Sequence, residues 1–198
     1  VVLNLDPLGT AHRSRAFHLH SYKNLGDIGG PDYISGLKQL AAKHPYLDIS
    51  RVGAYGHSAG GYDAARALLK YGAVYKVAVS SAGNHDHRMS KAWWPEMWMG
   101  MPEEGDHYDS NSNMTLAHQL SGKLLLATGD LDNNVNPANS LRLAAAIQAA
   151  NRDVDLLLLA NKDHDLREDT YFTRRRWDYF VQHLLQQTPP AFFQLSSN

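Results

Sequence analysis

Three groups of polar residues in this chain are of the types that acyl transfer requires. The first is Gly56-His57-Ser58-Ala59-Gly60, a G-x-S-x-G sequence set between a short apolar run and a helical pattern. A strand that turns sharply into a helix holds such a serine on a strained bend with its hydroxyl exposed above the sheet. Glycines two before and two after the serine are expected because a side chain there would strike neighbouring backbone. The helix after the serine aims its free N–H groups and positive dipole end at the place where an oxyanion would develop. The second group is Gly129-Asp130-Leu131-Asp132-Asn133-Asn134-Val135, and the third is Asn161-Lys162-Asp163-His164-Asp165. A serine hydroxyl needs an imidazole to take its proton, which His164 would do. A carboxylate would fix the imidazole tautomer and stabilise the imidazolium. Asp130 and Asp132 are both placed for that role, and the residues alone do not separate them.

The order serine, acid, histidine is that of α/β-hydrolases, and the elements that must position these groups fit the same scheme. Apolar runs at 1–5, 51–55, 75–80, 123–128 and 154–160 read as strands, four of them apolar enough for burial on both faces. Between them lie helical patterns: one opened by Pro31 with Ile34, Leu37, Leu40 and Ala41 on one face, and one over 60–71 with Ala64, Ala65, Leu68 and Leu69 inward. Another starts at Asn136-Pro137 with Leu143, Ile147 and Ala150 on a stripe. A last one runs to about residue 187 with Trp177, Phe180, Val181 and Leu184 inward. Residues 10–30 read as a long polar loop. A second irregular stretch, 81–113, is long enough to form a lid or pocket wall. Ser112-Asn113 could cap a short helix over 114–119, and residues 195–198 are expected to fray. Alternating strands and helices imply a mostly parallel sheet with helices on both faces, whose site lies beyond the carboxyl ends of the strands.

Composition removes several other functions. The 198 residues suffice for one domain with a substantial core, and 43% apolar with 20% charged residues is ordinary for a globular chain. A net charge of −1 and the lack of Lys/Arg runs offer nucleic acid no basic field. No apolar stretch reaches the roughly 20 residues that span a bilayer. There is no cysteine, hence no disulfide and no thiolate nucleophile or ligand. Among eleven histidines, His18-Leu19-His20 and His85-Asp86-His87 could suggest metal ligands, but neither has a further ligand at a recognised spacing. No metal or other cofactor is expected. His118 and His183 lie in helical patterns and read as surface or packing residues.

With these residues in view, the chain resembles the catalytic domain of the prolyl oligopeptidase family of serine peptidases, especially bacterial dipeptidyl-peptidase IV-like members. The resemblance rests on Gly56-His57-Ser58-Ala59-Gly60-Gly61-Tyr62, on the 129–135 stretch, on Asp163-His164, and on Arg174-Arg175-Arg176-Trp177-Asp178-Tyr179-Phe180-Val181 with Pro189-Pro190. It implies an α/β-hydrolase fold and Ser58, Asp132 and His164 as the triad, Asp132 holding the place before Asn-Asn-Val. It further implies the Ala59 N–H as an oxyanion donor and Asn134 on a substrate carbonyl. Val135, Tyr62 and Trp94, with Trp93 and Trp98 nearby, would line the pocket for the residue before the scissile bond. The implied reaction is peptide cleavage through an acyl-enzyme, releasing N-terminal dipeptides after proline. An esterase or acylaminoacyl peptidase on the same triad, and a non-catalytic hydrolase-like binding domain, are the alternatives.

Three departures from the family pattern bear on that expectation. Ala59 stands where many relatives have Tyr. The family's second oxyanion donor, a tyrosine from an earlier segment, is not in this sequence. Neither is the N-terminal β-propeller that grips the substrate's amino terminus in dipeptidyl peptidases. Residues 1–198 therefore read as the C-terminal portion of a longer enzyme, lacking the N-terminal strands of the sheet. Its partners would be a peptide substrate, the rest of the parent chain and a second copy in a homodimer; a periplasmic or secreted location fits the resemblance. The isolated stretch is expected to have little peptidase activity.

Overall fold

The computed structural model describes residues 1–195, so the expectation of fraying at 196–198 lies outside the described residues. In chain order the helices and strands are α1 (Arg15–Leu19), α2 (Gly30–Lys43), β1 (Val52–His57), α3 (Ala59–Lys70), β2 (Tyr75–Ser81), α4 (Trp93–Met99), α5 (His107–Ser110), β3 (Lys123–Gly129), α6 (Ala138–Ala149), β4 (Asp155–Leu159) and α7 (Thr170–His183). The four strands form one sheet in the order β1-β2-β3-β4, every neighbouring pair parallel. Each connection is then a crossover that lays a helix or loop on a face of the sheet.

The two faces are covered by different helices. Ala65, Leu68 and Leu69 of α3 and Leu143 and Ile147 of α6 pack with Ala78, Leu124 and Leu126 on one face. Phe172 and Tyr179 of α7 pack with Val77, Val79, Leu125, Ala127 and Leu159 on the other. Fully burying side chains of this size contributes roughly 1.5–3 kcal/mol each, so β2 and β3, apolar on both faces, are the centre of the core.

The structure corrects several sequence expectations. Residues 1–5 form no strand: a strand needs a ladder partner, and none of the described residues supplies one. Leu5 instead packs on α2, where its side chain lies 2.5 Å from a Cβ built on Gly36 and its carbonyl accepts the Tyr33 hydroxyl at 2.9 Å. Only β2 and β3 are buried on both faces. β1 and β4 are the sheet's edges, with Tyr55, Leu156 and Leu158 exposed. On α7, Trp177 is exposed; the buried side chains are Phe172 and Tyr179, with Phe180 and Leu184 packed beside them. The 10–30 loop carries α1, capped by the Ser14 hydroxyl accepting from the Phe17 N–H. The short helix expected over 114–119 is present as a 3-10 helix, with the Ser112 hydroxyl accepting from the Met114 N–H.

The long stretch after β2 is ordered by its own short helices and by buried polar groups. His85 is fully buried: Asn113 donates to its Nδ1 at 3.1 Å, and its Nε2 lies 3.4 Å from the Ser80 hydroxyl. The Ser80 hydroxyl in turn donates to the Gly61 carbonyl of α3 at 2.7 Å. Burial pushes the pKa of His85 down to about 3 and that of His87 down to about 4.

This packing has consequences for stability that can be measured. Leu126 is fully buried, while its ladder partner Leu156 is 43% exposed on the same face. Leu126→Ala is expected to cost about 2–5 kcal/mol and Leu156→Ala less than about 1 kcal/mol in urea unfolding; equal costs would contradict the assignment of centre and edge. Both histidines hold fewer protons folded than unfolded, where the pKa is about 6.5. Their contribution is therefore complete above about pH 6.5 and is lost as the pH falls towards their folded values. At pH 5 the loss is about 2 kcal/mol per histidine. A His85→Asn variant should lose about half of that pH dependence, and a flat wild-type stability curve between pH 7 and 5 would contradict the account.

Candidate active site

Ser58 sits between β1 and α3 with φ 59° and ψ −123°. That left-handed conformation costs a non-glycine residue roughly 1–3 kcal/mol and persists only where the surroundings enforce it. Here the Ser58 N–H donates to the Ser81 carbonyl at 2.9 Å, and the Ser58 carbonyl accepts from Gly61 and Tyr62 at 2.9 and 3.1 Å. A Cβ on Gly56 would lie 2.0 Å from the Gly60 carbonyl oxygen, so the bend closes only over a bare Cα. The same argument fails for Gly60, which has nothing within 4 Å of such a Cβ; the second position without room is Gly61, 2.5 Å from the Ser81 carbonyl. Ala59 is the first residue of α3, so its N–H has no carbonyl one turn earlier in the helix to bond.

Three loop tips meet above the sheet. His164 Nε2 lies 3.0 Å from Ser58 Oγ, and its Nδ1 lies 2.8 Å from Asp132 Oδ2. The Asp132 carboxylate is fully buried, and its other oxygen accepts the backbone N–H groups of Asn134 and Val135 at 2.9 and 2.8 Å. The two aspartates that the residues alone left open are thus separated by position. Asp130 is exposed and accepts the Lys162 N–H at 3.3 Å, tying the loop after β3 to the loop after β4. Gly129 lets those loops touch, because a Cβ there would lie 2.3 Å from the Lys162 carbonyl.

His57 adds a second imidazole that sequence reasoning passed over. Its ring centroid is 4.8 Å from that of His164, and its Nδ1 is 3.0 Å from the Ser81 hydroxyl. Burial, and then the neighbouring His164, lower its pKa, so that it stays uncharged beside His164 at neutral pH. Its position inside G-x-S-x-G was the available signal.

Beside the serine bend lies a cavity of about 300 Å³, lined by Ala59, Tyr62, Asn84, His87, Trp94 and Trp98 among others. Trp94 and Trp98 are four residues apart on α4 and so share a face. Pro95 fits the first turn of that helix, and Gly100, at φ 69°, ends it. Tyr62 is locked by its hydroxyl donating to the Asn111 carbonyl at 2.6 Å. Arg66, one turn further along α3, bonds Asp27 at 2.7 Å and the Ser110 carbonyl at 2.7 Å, pinning both long loops to the same helix. Of the predicted pocket residues, Tyr62 and Trp94 line the cavity, with Trp98. Trp93 is exposed. Asn134 and Val135 are not among the lining residues; they serve Asp132 through their backbone, and the Asn134 side chain accepts from Lys91 at 3.2 Å. Asn84 and His87 were missed as lining residues, because nothing in their spacing announces which way a loop side chain faces.

Comparison with known proteins identifies the family and the fold. A family model described as the prolyl oligopeptidase family matches residues 1–187. Dipeptidyl peptidase 8 of Homo sapiens is 28% identical over 191 residues, which cover 94% of this chain and 21% of that protein. The crystal structure of Porphyromonas gingivalis dipeptidyl peptidase 4 superposes with a TM-score of 0.81 at 27% identity, covering 92% of this chain and 26% of that one. The acylaminoacyl peptidase of Pyrococcus horikoshii shares the fold, with a TM-score of 0.81 at 20% identity over 95% of this chain and 33% of that one. The chain thus spans about a fifth of the length of the curated relative and a quarter to a third of these structures. With the match extending over 187 of its 198 residues, the chain belongs to the prolyl oligopeptidase family and has that family's α/β-hydrolase fold.

Proposed function

We propose that these residues carry the nucleophile, base and acid of a serine peptidase that removes N-terminal dipeptides, with proline before the scissile bond. The observation that supports this reading above all is the unbroken chain Ser58–His164–Asp132, with links of 3.0 and 2.8 Å, at the tip of a strained strand-to-helix bend. His164 Nε2 takes the hydroxyl proton as Ser58 Oγ attacks the scissile carbonyl carbon. The carbonyl oxygen becomes an oxyanion, to which the Ala59 N–H donates; one such donor is worth about 10²–10³ in kcat. Asp132 stabilises the imidazolium, and the neutral ring of His57 adds no second positive charge beside it. His164 then gives its proton to the departing amine, leaving an acyl-enzyme on Ser58. Water, deprotonated by His164, attacks that ester and restores the serine.

Tyr62, Trp94 and Trp98 would hold the flat apolar face of a proline ring. The resemblance assigns the grip on the substrate's amino terminus and the second oxyanion donor to the remainder of the parent chain. Residues 1–198 are in this reading a portion of its catalytic domain.

A fluorophosphonate probe, which labels only an activated serine, tests the chemistry. Labelling is expected in the intact protein and should be abolished in Ser58→Ala and in His164→Ala. Asp132→Asn is expected to lower kcat on a Gly-Pro-arylamide by about 10³–10⁴. Undiminished labelling of His164→Ala would refute the proposed base.

A further inference from the structure

The cavity beside Ala59 carries an acidic group at some distance from the serine bend. Ala59 and Asp63 both line it. They stand four residues apart on α3 and so share one face, separated by about 6 Å along the helix axis. Among the described residues no donor bonds the Asp63 carboxylate: Arg66, three residues on, is turned to Asp27 and to the Ser110 carbonyl. Asp63 thus faces a space of about 300 Å³ with no counter-ion from the described residues.

The other walls limit what could meet that carboxylate. Tyr62 on α3, with Trp94 and Trp98 on α4, supplies apolar surface and aromatic rings. Apolar surface of this kind accepts the methylene stem of a long side chain, and aromatic rings beside a carboxylate favour a cation at its end. A lysine carries its ammonium on a four-carbon stem, which covers about one helical turn; a proline ring, closed on its own nitrogen, does not. Of the imidazoles on the cavity, His87 adds no competing cation, since burial pushes its pKa down to about 4. His18 of α1 lines the cavity without pairing with Asp63. Asp63 meets solvent at the cavity mouth, yet desolvation by the surrounding protein raises its pKa to about 7, opposed in part by Arg66. A bound cation would hold the group in its ionised form.

We propose that this cavity accepts, as the residue before the scissile bond, a long cationic side chain, lysine or arginine, whose charge is met by Asp63. The proposal rests on the peptidase reading above and widens its substrate class. A proline ring occupies the end beside Ala59 and leaves Asp63 without a partner; a lysine or arginine passes between Tyr62, Trp94 and Trp98 to reach it.

Matched dipeptide arylamides test it in the intact protein at about pH 8.5, where Asp63 is ionised: Ala-Lys against Ala-norleucine, and Ala-Arg against Ala-citrulline. In each pair the cation should lead by about tenfold or more in kcat/KM, the effect of one hydrogen bond to a charged group. Parity or a lead for the neutral member would overturn the proposal. Turnover of Gly-Pro-arylamide with none of these four cleaved would also overturn it, and would leave the peptidase reading standing. Asp63→Asn, checked for folding by fluorophosphonate labelling, should bring both pairs to parity, and Asp63→Lys should favour Ala-Glu over Ala-Gln. A correctly folded Asp63→Asn that kept the full lead would overturn the assignment to this side chain. If the probe labels nothing and no arylamide is cleaved, the peptidase reading fails separately. Calorimetric titration of Ser58→Ala with the dipeptides Ala-Lys and Ala-norleucine then decides: tighter binding of Ala-Lys supports the cation site, and equal or weaker binding overturns it.

Discussion

The bend at Ser58 is the constraint on which the site depends. A serine at φ 59° is held there by contacts that all come from backbone: the Ser81 carbonyl from β2, the Gly61 and Tyr62 N–H groups of α3, and the Gly60 carbonyl crossing over the bare Cα of Gly56. β2 therefore does two jobs. Its apolar middle, Val77 to Val79, anchors both layers of the core. Its carboxyl end, Ser80 and Ser81, fixes α3 and the strand before it through hydroxyl and carbonyl groups. The conformational cost of the Ser58 bend is offset by a sheet centre that is buried on both sides and cannot shift to relieve it.

The acid and the imidazole are positioned by a second device, a contact between two loops. Gly129 brings the backbone after β3 against the carbonyls of Lys162 and Asp163, the Leu131 N–H donates to the Lys162 carbonyl at 2.9 Å, and Asp130 accepts from the Lys162 N–H. Asp130 is thus a brace between loops, and Asp132 is free to face the imidazole. Two aspartates two positions apart look equivalent on paper, yet one points along the loop contact and the other beneath His164.

The polar groups that converge were legible in the sequence because parallel strands all deliver their succeeding loops to one end of the sheet. The order of serine, acid and histidine therefore already located where these three side chains meet. Strands β2 and β3 and helices α2, α3 and α6 were legible for a related reason: their apolar periodicity records the burial that stabilises them. Edges are harder to recognise. The leucines of β4 have the composition of an interior strand, and they are exposed because no helix among the described residues covers Leu156 and Leu158. Residues 1–5 have strand composition without a ladder partner, which pattern alone does not reveal. The 81–113 stretch was the least legible part, since its order comes from long-range bonds such as those of Asn111 and Asn113 to residues some 50 positions or more away. His57 could have been picked out from its place inside G-x-S-x-G, whereas nothing in the spacing of Asn84 and His87 shows which way a loop side chain faces.

Arg66 and Tyr62 sit on the helix that begins beside Ser58, whereas Trp94 and Trp98 sit on a separate short helix that contains Pro95 and ends at Gly100. The two walls of the cavity are consequently unequal as material for divergence. Substitutions on the first wall disturb the bend, the salt bridge to Asp27 and both long loops at once. Replacements on the α4 wall alter the cavity's shape while leaving the serine's backbone restraints alone. Sequence change that reshapes the cavity without loosening the serine bend has its freest route through those seven residues.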